Sequence, residues 1–171
     1  LPSGRLQVYR VLNGTFHNRL RMWFSDDEGA TWTHGGDLSP NTGGIVRMRA
    51  AYSDGQLLIG IRNATGVTYL SSSDEGHTFE VTGGMAGSGG RNFDVCAAPG
   101  GGFLFAVIAE DDTAGVDVVL LPDAYTLATN ATTVSLPAEF ASVTADEEVT
   151  IAVDGGGVVT CIARDGAHTF A

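Results

Sequence analysis

The side chains richest in potential chemistry in this 171-residue chain are its arginines. All nine basic residues are Arg, and none is Lys. Arg47 and Arg49 flank Met48, and Arg19 and Arg21 flank Leu20, so each pair shares one face of an extended strand. A guanidinium grips a carboxylate or sulfate through two parallel hydrogen bonds. Each pair is therefore either a strip for an anionic ligand or a solvent-facing row that balances an acidic surface. Carboxylates collect at Glu110-Asp111-Asp112 with Asp117, and at Asp146-Glu147-Glu148. Neither group has the spaced oxygen ligands of a calcium loop. Asp111 and Asp112 are adjacent, so in a strand they point to opposite faces and cannot flank one glycosidic bond. His17, His34, His77 and His168 show no regular spacing and read as loop residues. Cys96 and Cys161 have no zinc-like spacing. They read as buried thiols in apolar strands, with a disulfide between neighbouring sheets as the alternative. There is no Gly-x-Ser-x-Gly elbow and no phosphate-binding loop. The glycines around 83–90 read as a flexible linker. No cofactor, metal or catalytic residue is expected from these 171 residues.

A second constellation is structural. Ser25-Asp26-Asp27-Glu28-Gly29-Ala30-Thr31-Trp32 and Ser72-Ser73-Asp74-Glu75-Gly76-His77-Thr78-Phe79 both fit Ser-x-Asp-x-Gly-x-Thr-aromatic. Each follows an apolar run. A hairpin tip leaves backbone N–H groups without ladder partners, and a carboxylate at Asp27 or Asp74 can accept several of them. Gly29 and Gly76 supply a positive φ without a steric penalty. Thr31-Trp32 and Thr78-Phe79 re-enter a strand, where the ring can pack between sheets.

The elements that carry these residues repeat. Asp27 and Asp74 are 47 residues apart, the length of a four-stranded unit. A strand–turn–strand pattern recurs at 46–61, 93–108 and 149–162. Third strands are expected at 19–24, 67–71 and 116–121, and the last of these leads into a worn turn at Pro122-Asp123-Ala124-Tyr125. Short outer strands are expected at 33–35, 80–82 and 132–136. The spacing of apolar residues is two, as in Leu57, Ile59 and Ile61, which argues for strands and against helices. This predicts an all-β chain of antiparallel four-stranded sheets. It divides into a partial unit at 1–38, full units at 39–84 and 85–137, and a partial unit at 138–171. The first unit lacks its innermost strand and the last ends after its second, with Thr169-Phe170 beginning a third.

The two octapeptides resemble the Asp-box of sialidases and related β-propellers, which implies a partial β-propeller. Residues 4–80 resemble sialidases further. Gly4-Arg5-Leu6-Gln7-Val8-Tyr9-Arg10 is similar to the strand before that family's first box. Asp54-Gly55-Gln56-Leu57-Leu58-Ile59-Gly60-Ile61-Arg62-Asn63 is similar to a strand whose Arg binds the substrate carboxylate. The resemblance thus implies a ligand-binding role for Arg62; read alone, Arg62 is an exposed Arg at a strand end. The family's Glu base falls at Val46, its Arg-Ile-Pro segment is absent, and no acid/base Asp is found. Tyr52, Tyr69 and Tyr125 read as packing residues rather than nucleophiles. The resemblance therefore implies a non-catalytic module with a structural role or with protein or glycan contacts. Its alternatives are a portion of a sialidase-like glycoside hydrolase and a phage or bacterial surface adhesin.

Asn13-Gly14-Thr15, Asn63-Ala64-Thr65 and Asn130-Ala131-Thr132 fit the N-glycosylation pattern, each at an expected loop. They point to an extracellular or cell-surface glycoprotein. The formal net charge of −11 excludes a nucleic-acid backbone as a natural partner. No apolar run is long enough for a membrane-spanning helix. The chain begins at Leu1 without a signal-peptide pattern, which is expected of a processed chain or a fragment. The expected partners are the rest of a longer propeller or neighbouring subunits, and a glycan or protein ligand.

Overall fold

The computed structural model describes residues 1–12, 19–38, 44–63, 66–86, 92–108, 116–124, 132–134, 148–165 and 168–170. Every regular element among them is a strand. Four antiparallel sheets follow one another in chain order. The first holds β1 (Leu6–Val11), β2 (Leu20–Ser25) and β3 (Thr33–Leu38). The second holds β4 (Arg47–Ser53), β5 (Gln56–Asn63), β6 (Gly66–Ser72) and β7 (Glu80–Ala86). The third holds β8 (Phe93–Ala97), β9 (Phe103–Ile108), β10 (Val116–Leu121) and β11 (Thr132–Val134). The fourth holds β12 (Glu148–Val153), β13 (Val159–Asp165) and β14 (His168–Phe170). Each sheet is a plain meander, and the architecture is a partial β-propeller.

Several expected bounds move. β3 and β7 run longer than expected, so the boundary drawn at residue 84 falls inside β7. The fourth sheet has a third strand, β14, where only its beginning was expected. The outer strand of the third sheet is described only over Thr132–Val134.

Alternation along the strands builds three cores, one between each successive pair of sheets. Tyr9, Val11, Leu20 and Leu38 meet Ile59, Ile61, Leu70 and Phe79 between the first two sheets. Leu58, Val67 and Tyr69 meet Phe93, Val95, Phe103, Phe105 and Leu121 between the second and third. Leu104, Ala106, Ile108 and Val118 meet Val149, Ile151 and Ala163 between the third and fourth. A strand sandwiched on both faces must be apolar throughout, which is why β9 reads Phe-Leu-Phe-Ala-Val-Ile and is wholly buried. Gly60 permits the second approach: a Cβ there would stand 2.6 Å from the Phe93 ring. Cys96 and Cys161 are free thiols packed on the third core, and burial pushes both up to about 11.

The two octapeptides form matching hairpin tips. Ser25 Oγ donates to Asp27 Oδ1 at 2.7 Å, and the carboxylate accepts Thr31 N at 2.8 Å and Thr31 Oγ1 at 2.6 Å. Asp74 accepts from Ser72 Oγ, Thr78 N and Thr78 Oγ1 at 2.7, 2.9 and 2.7 Å. The Ser hydroxyls accept from Gly29 N and Gly76 N at 2.8 and 2.7 Å. Both Gly29 and Gly76 have positive φ, and so do Glu28 and Glu75 before them. The carboxylate bonds hold two consecutive left-handed residues where sequence suggests one.

Each later tip reaches back to the preceding sheet. Gln7 Nε2 donates to Glu75 O at 2.8 Å, Ser3 Oγ bonds the Glu75 carboxylate, and Phe79 meets Tyr9 edge-on with centroids 6.4 Å apart. Arg5 pairs with Asp26 at 2.6 Å, lies 4.3 Å from the Phe24 ring centroid, and donates to His77 Nε2 at 2.7 Å. His77 Nδ1 in turn donates to Asp74 O at 2.6 Å, so this loop histidine also joins two sheets. The worn turn docks likewise: Ala124 N donates to Gln56 Oε1 at 2.7 Å, and Ala124 O accepts from Ser71 and Thr82.

Candidate functional site

β8 lies between the first strands β4 and β12, and the start of β4 meets the start of β8 through Arg47 and Asn92. The turn after each of these strands is closed by Ser53 paired with Gln56, Ala98 N on Gly102 O, and Asp154 N on Val158 O. Arg47, Asn92 and Glu148 each stand six residues before Ser53, Ala98 and Asp154 respectively. They are thus the same structural position in successive sheets. Two residues further in, Arg49 and Asp94 are again equivalent.

Strand alternation turns Arg47, Arg49 and Arg62 toward the third sheet, while Met48 and Ile61 face the first core. Arg47 lies directly opposite Arg62 across the β4–β5 ladder. Arg47 Nη1 donates to Asn92 Oδ1 at 2.6 Å, and Arg62 Nη1 approaches the same oxygen at 3.5 Å. Arg49 Nε pairs with Asp94 Oδ1 at 3.2 Å, and Arg49 Nη1 donates to Met48 O at 3.0 Å. Asp94 uses its other oxygen to accept Ile151 N at 3.1 Å, tying β8 to β12.

Among the described residues, three guanidiniums, those of Arg47, Arg49 and Arg62, meet two carboxylates, those of Asp94 and Glu148. Burial first, then the Arg49 charge, push the Arg47 guanidinium below its ordinary value. Glu148 and Asp94 oppose that shift, and Arg62 adds to it. Arg47 Nε is buried without a hydrogen-bond partner among the described residues. Two facing guanidiniums, one with an unused buried donor, make a fork for a carboxylate or sulfate. Nothing in this arrangement breaks a bond by itself. Tyr69 is buried in the second core with no partner for its hydroxyl among the described residues, and Tyr9 donates to Gln7 Oε1 at 2.8 Å, both away from the fork. Among the described residues, no group of His, Cys, Asp or Glu is arranged to hold a metal ion.

Several expectations change here. Arg47 stands opposite Arg62, while Val46, where the resemblance puts the family's Glu base, precedes β4, is exposed, and donates its N–H to Arg62 O. Arg47 and Arg62 are half-buried rather than solvent-facing. Arg21 does pair outward, with Asp37 Oδ1 at 2.8 Å. Asn63, expected on a loop, ends β5 with 2% of its surface exposed and its amide 3.4 Å from Thr68 Oγ1. A glycan there would have to open the sheet. Asn13, Asn130 and Tyr125 lie outside the described residues, as do Glu110, Asp111 and Asp112. Sequence reasoning passed over Asn92 and Asp94. Their signal was Asp94 at the first-strand position equivalent to Arg49, legible only once the turns are aligned.

No family model matches this sequence, and no curated protein sequence matches it. Solved structures do match. An exo-β-1,3-galactanase from Clostridium thermocellum superposes with a TM-score of 0.63 at 14% identity, over 94% of this chain and 40% of that one. An α-L-arabinanase from Penicillium chrysogenum gives 0.58 at 16%, over 96% and 54%. The NanB sialidase from Streptococcus pneumoniae gives 0.55 at 16%, over 92% and 27%. The chain therefore spans between about a quarter and about half of the structures it matches. The shared property is the fold, a sialidase-like propeller as found in glycoside hydrolases.

Proposed function

We propose that this chain is a portion of a sialidase-like glycoside hydrolase, and that the starts of β4, β8 and β12 form its glycan-binding mouth. The observation that carries this is the fork of Arg47 and Arg62 over Asn92, with Arg49, Asp94 and Glu148 around it. The ligand class is an acidic sugar, whose carboxylate replaces water on the Arg47 guanidinium. The glycan-acting neighbours and the sequons support an extracellular place of action. The base, nucleophile and acid that hydrolysis requires act as a unit, so turnover would need residues beyond these 171.

The test is titration of the chain with N-acetylneuraminic acid and, in parallel, glucose, followed by NMR. Saturable shifts with the acidic sugar alone, lost in Arg47→Met, support the reading. Absence of any acidic-sugar binding overturns it. Turnover of a fluorogenic sialoside by the 171-residue chain would show that the machinery is already complete.

A second reading, a glycan- or protein-binding module without catalysis, is favoured by one observation: the position of the family's Glu base holds the exposed Val46. The full-length polypeptide separates the two, since only the first predicts sialoside hydrolysis there.

A further inference from the structure

The tip of the second octapeptide shows what such a tip requires. Phe79 packs on Tyr9 of the sheet before it, and the Glu75 carbonyl accepts from Gln7, two residues ahead of Tyr9 on the same strand. In the worn turn a second-strand amide again meets the tip, here with Gln56 Oε1 accepting from Ala124 N–H. In the first octapeptide, Trp32 corresponds to Phe79 and Glu28 to Glu75. Trp32 is 44% exposed, and it lies on a face with Leu6 at 44% and Val8 at 47%. Trp23 stands opposite Val8 in the β1–β2 ladder, turned away from the buried Met22 beside it. Both tryptophans of the chain therefore sit on one sheet face, Trp32 exposed and Trp23 half-buried with its ring centroid 5.8 Å from that of His34. The face also carries Arg10 and the Arg21–Asp37 pair at one end; its apolar aromatic part marks an interface, and the three internal cores show what kind of surface covers its counterparts.

We infer that the β1–β3 face bearing Trp23 and Trp32 is covered by a further antiparallel sheet of the same construction, supplied by the polypeptide that carries this chain. Its second strand would offer an amide side chain to the Glu28 carbonyl and, two residues on, a large apolar side chain to Trp32. This deepens the reading of the chain as part of a longer propeller and rests on that part of it.

The experiment uses tryptophan emission, which reads this face alone in the 171-residue chain. It compares that chain with the natural full-length polypeptide in which every other Trp is replaced by Phe. In the longer protein the emission should shift to the blue and acrylamide quenching should fall several-fold. Trp32→Ala should lower the melting temperature of the longer protein and leave that of the short chain unchanged. Equal quenching in the two proteins overturns the inference. So does a natural product limited to these 171 residues with both tryptophans quenchable. Protection that grows with the concentration of the short chain also overturns it, because it assigns the face to a second copy. If the short chain does not fold alone, the quenching of Trp32 in the longer protein decides by itself. Sugar binding is silent in this assay: protected tryptophans without acidic-sugar binding would sink the functional reading and leave the docking face standing.

Discussion

Arg47 faces Arg62 across the β4–β5 ladder, and the two guanidiniums lean on one carboxamide oxygen, that of Asn92. Two cations placed side by side in a half-buried position repel one another, and Asp94 and Glu148 offset part of that repulsion at Arg47. The expected result of Arg47→Met is a chain as stable as the parent, or more stable by up to about 1 kcal/mol, because an apolar side chain of similar length replaces a poorly compensated charge. Acidic-sugar binding should weaken by about tenfold or more, the scale of a lost charge-assisted pair. Urea unfolding and the sugar titration check the two halves separately.

Acid should loosen the hairpin tips. The hydroxyl of Thr31, then its N–H and the Ser25 hydroxyl, hold Asp27 down to about 2. Asp37 is held down to about 2 chiefly by Arg21. For Asp74, partial burial pushes upward and is outweighed by bonds from Thr78, Ser72 and His77, so the net shift is downward. A carboxylate lowered in the folded state contributes stability above its unfolded value of about 4, and that contribution disappears as pH falls through the folded value. Melting temperature should therefore be insensitive to these groups from pH 5 upward and drop between about pH 4 and pH 2. Asp74→Asn should lower the plateau and flatten the acid limb; an unchanged limb would refute the assignment.

Gly60 sets the distance between the second and third sheets. Gly60→Ala places a methyl group 2.6 Å from the buried Phe93 ring, with Phe105 next to it. The expected loss is about 1–3 kcal/mol, the range for overpacking a filled core. Phe93→Leu in the same chain should return part of it, and equilibrium unfolding of the single and double variants measures the coupling.

Glycan occupancy should be selective. Material from the native source should carry sugar at Asn13 or Asn130 and none at Asn63, whose side chain is buried beside Thr68. Peptide mapping by mass spectrometry decides: occupied Asn63 would contradict the strand placement, and three bare sites would remove the glycoprotein reading.

Much of the fold was legible because its signals are local. Period two marks the strands, and an Asp two residues after a Ser marks a tip whose bonds close within eight residues. The site was less legible because it depends on register between sheets. Arg47 and Asn92 are 45 residues apart and Asn92 and Glu148 are 56 apart, so the three equivalent positions do not recur at one spacing in the sequence. Alternation misled at Asn63 for a related reason. The triplet that suggests a sequon carries no information about facing, and Asn63 shares the inward side of β5 with Ile59 and Ile61. The second positive-φ residue in each tip was hidden as well, since Glu is a poor sequence signal for that conformation.

The backward reach of the tips has a consequence for the order of events at the ribosome. Gln7 and Tyr9 leave the exit tunnel long before Glu75 and Phe79, and Gln56 before Ala124. Every socket is thus finished before its plug is synthesised. Assembly acquires a direction, from the amino end to the carboxyl end, and a nascent sheet always meets a surface already shaped to hold it.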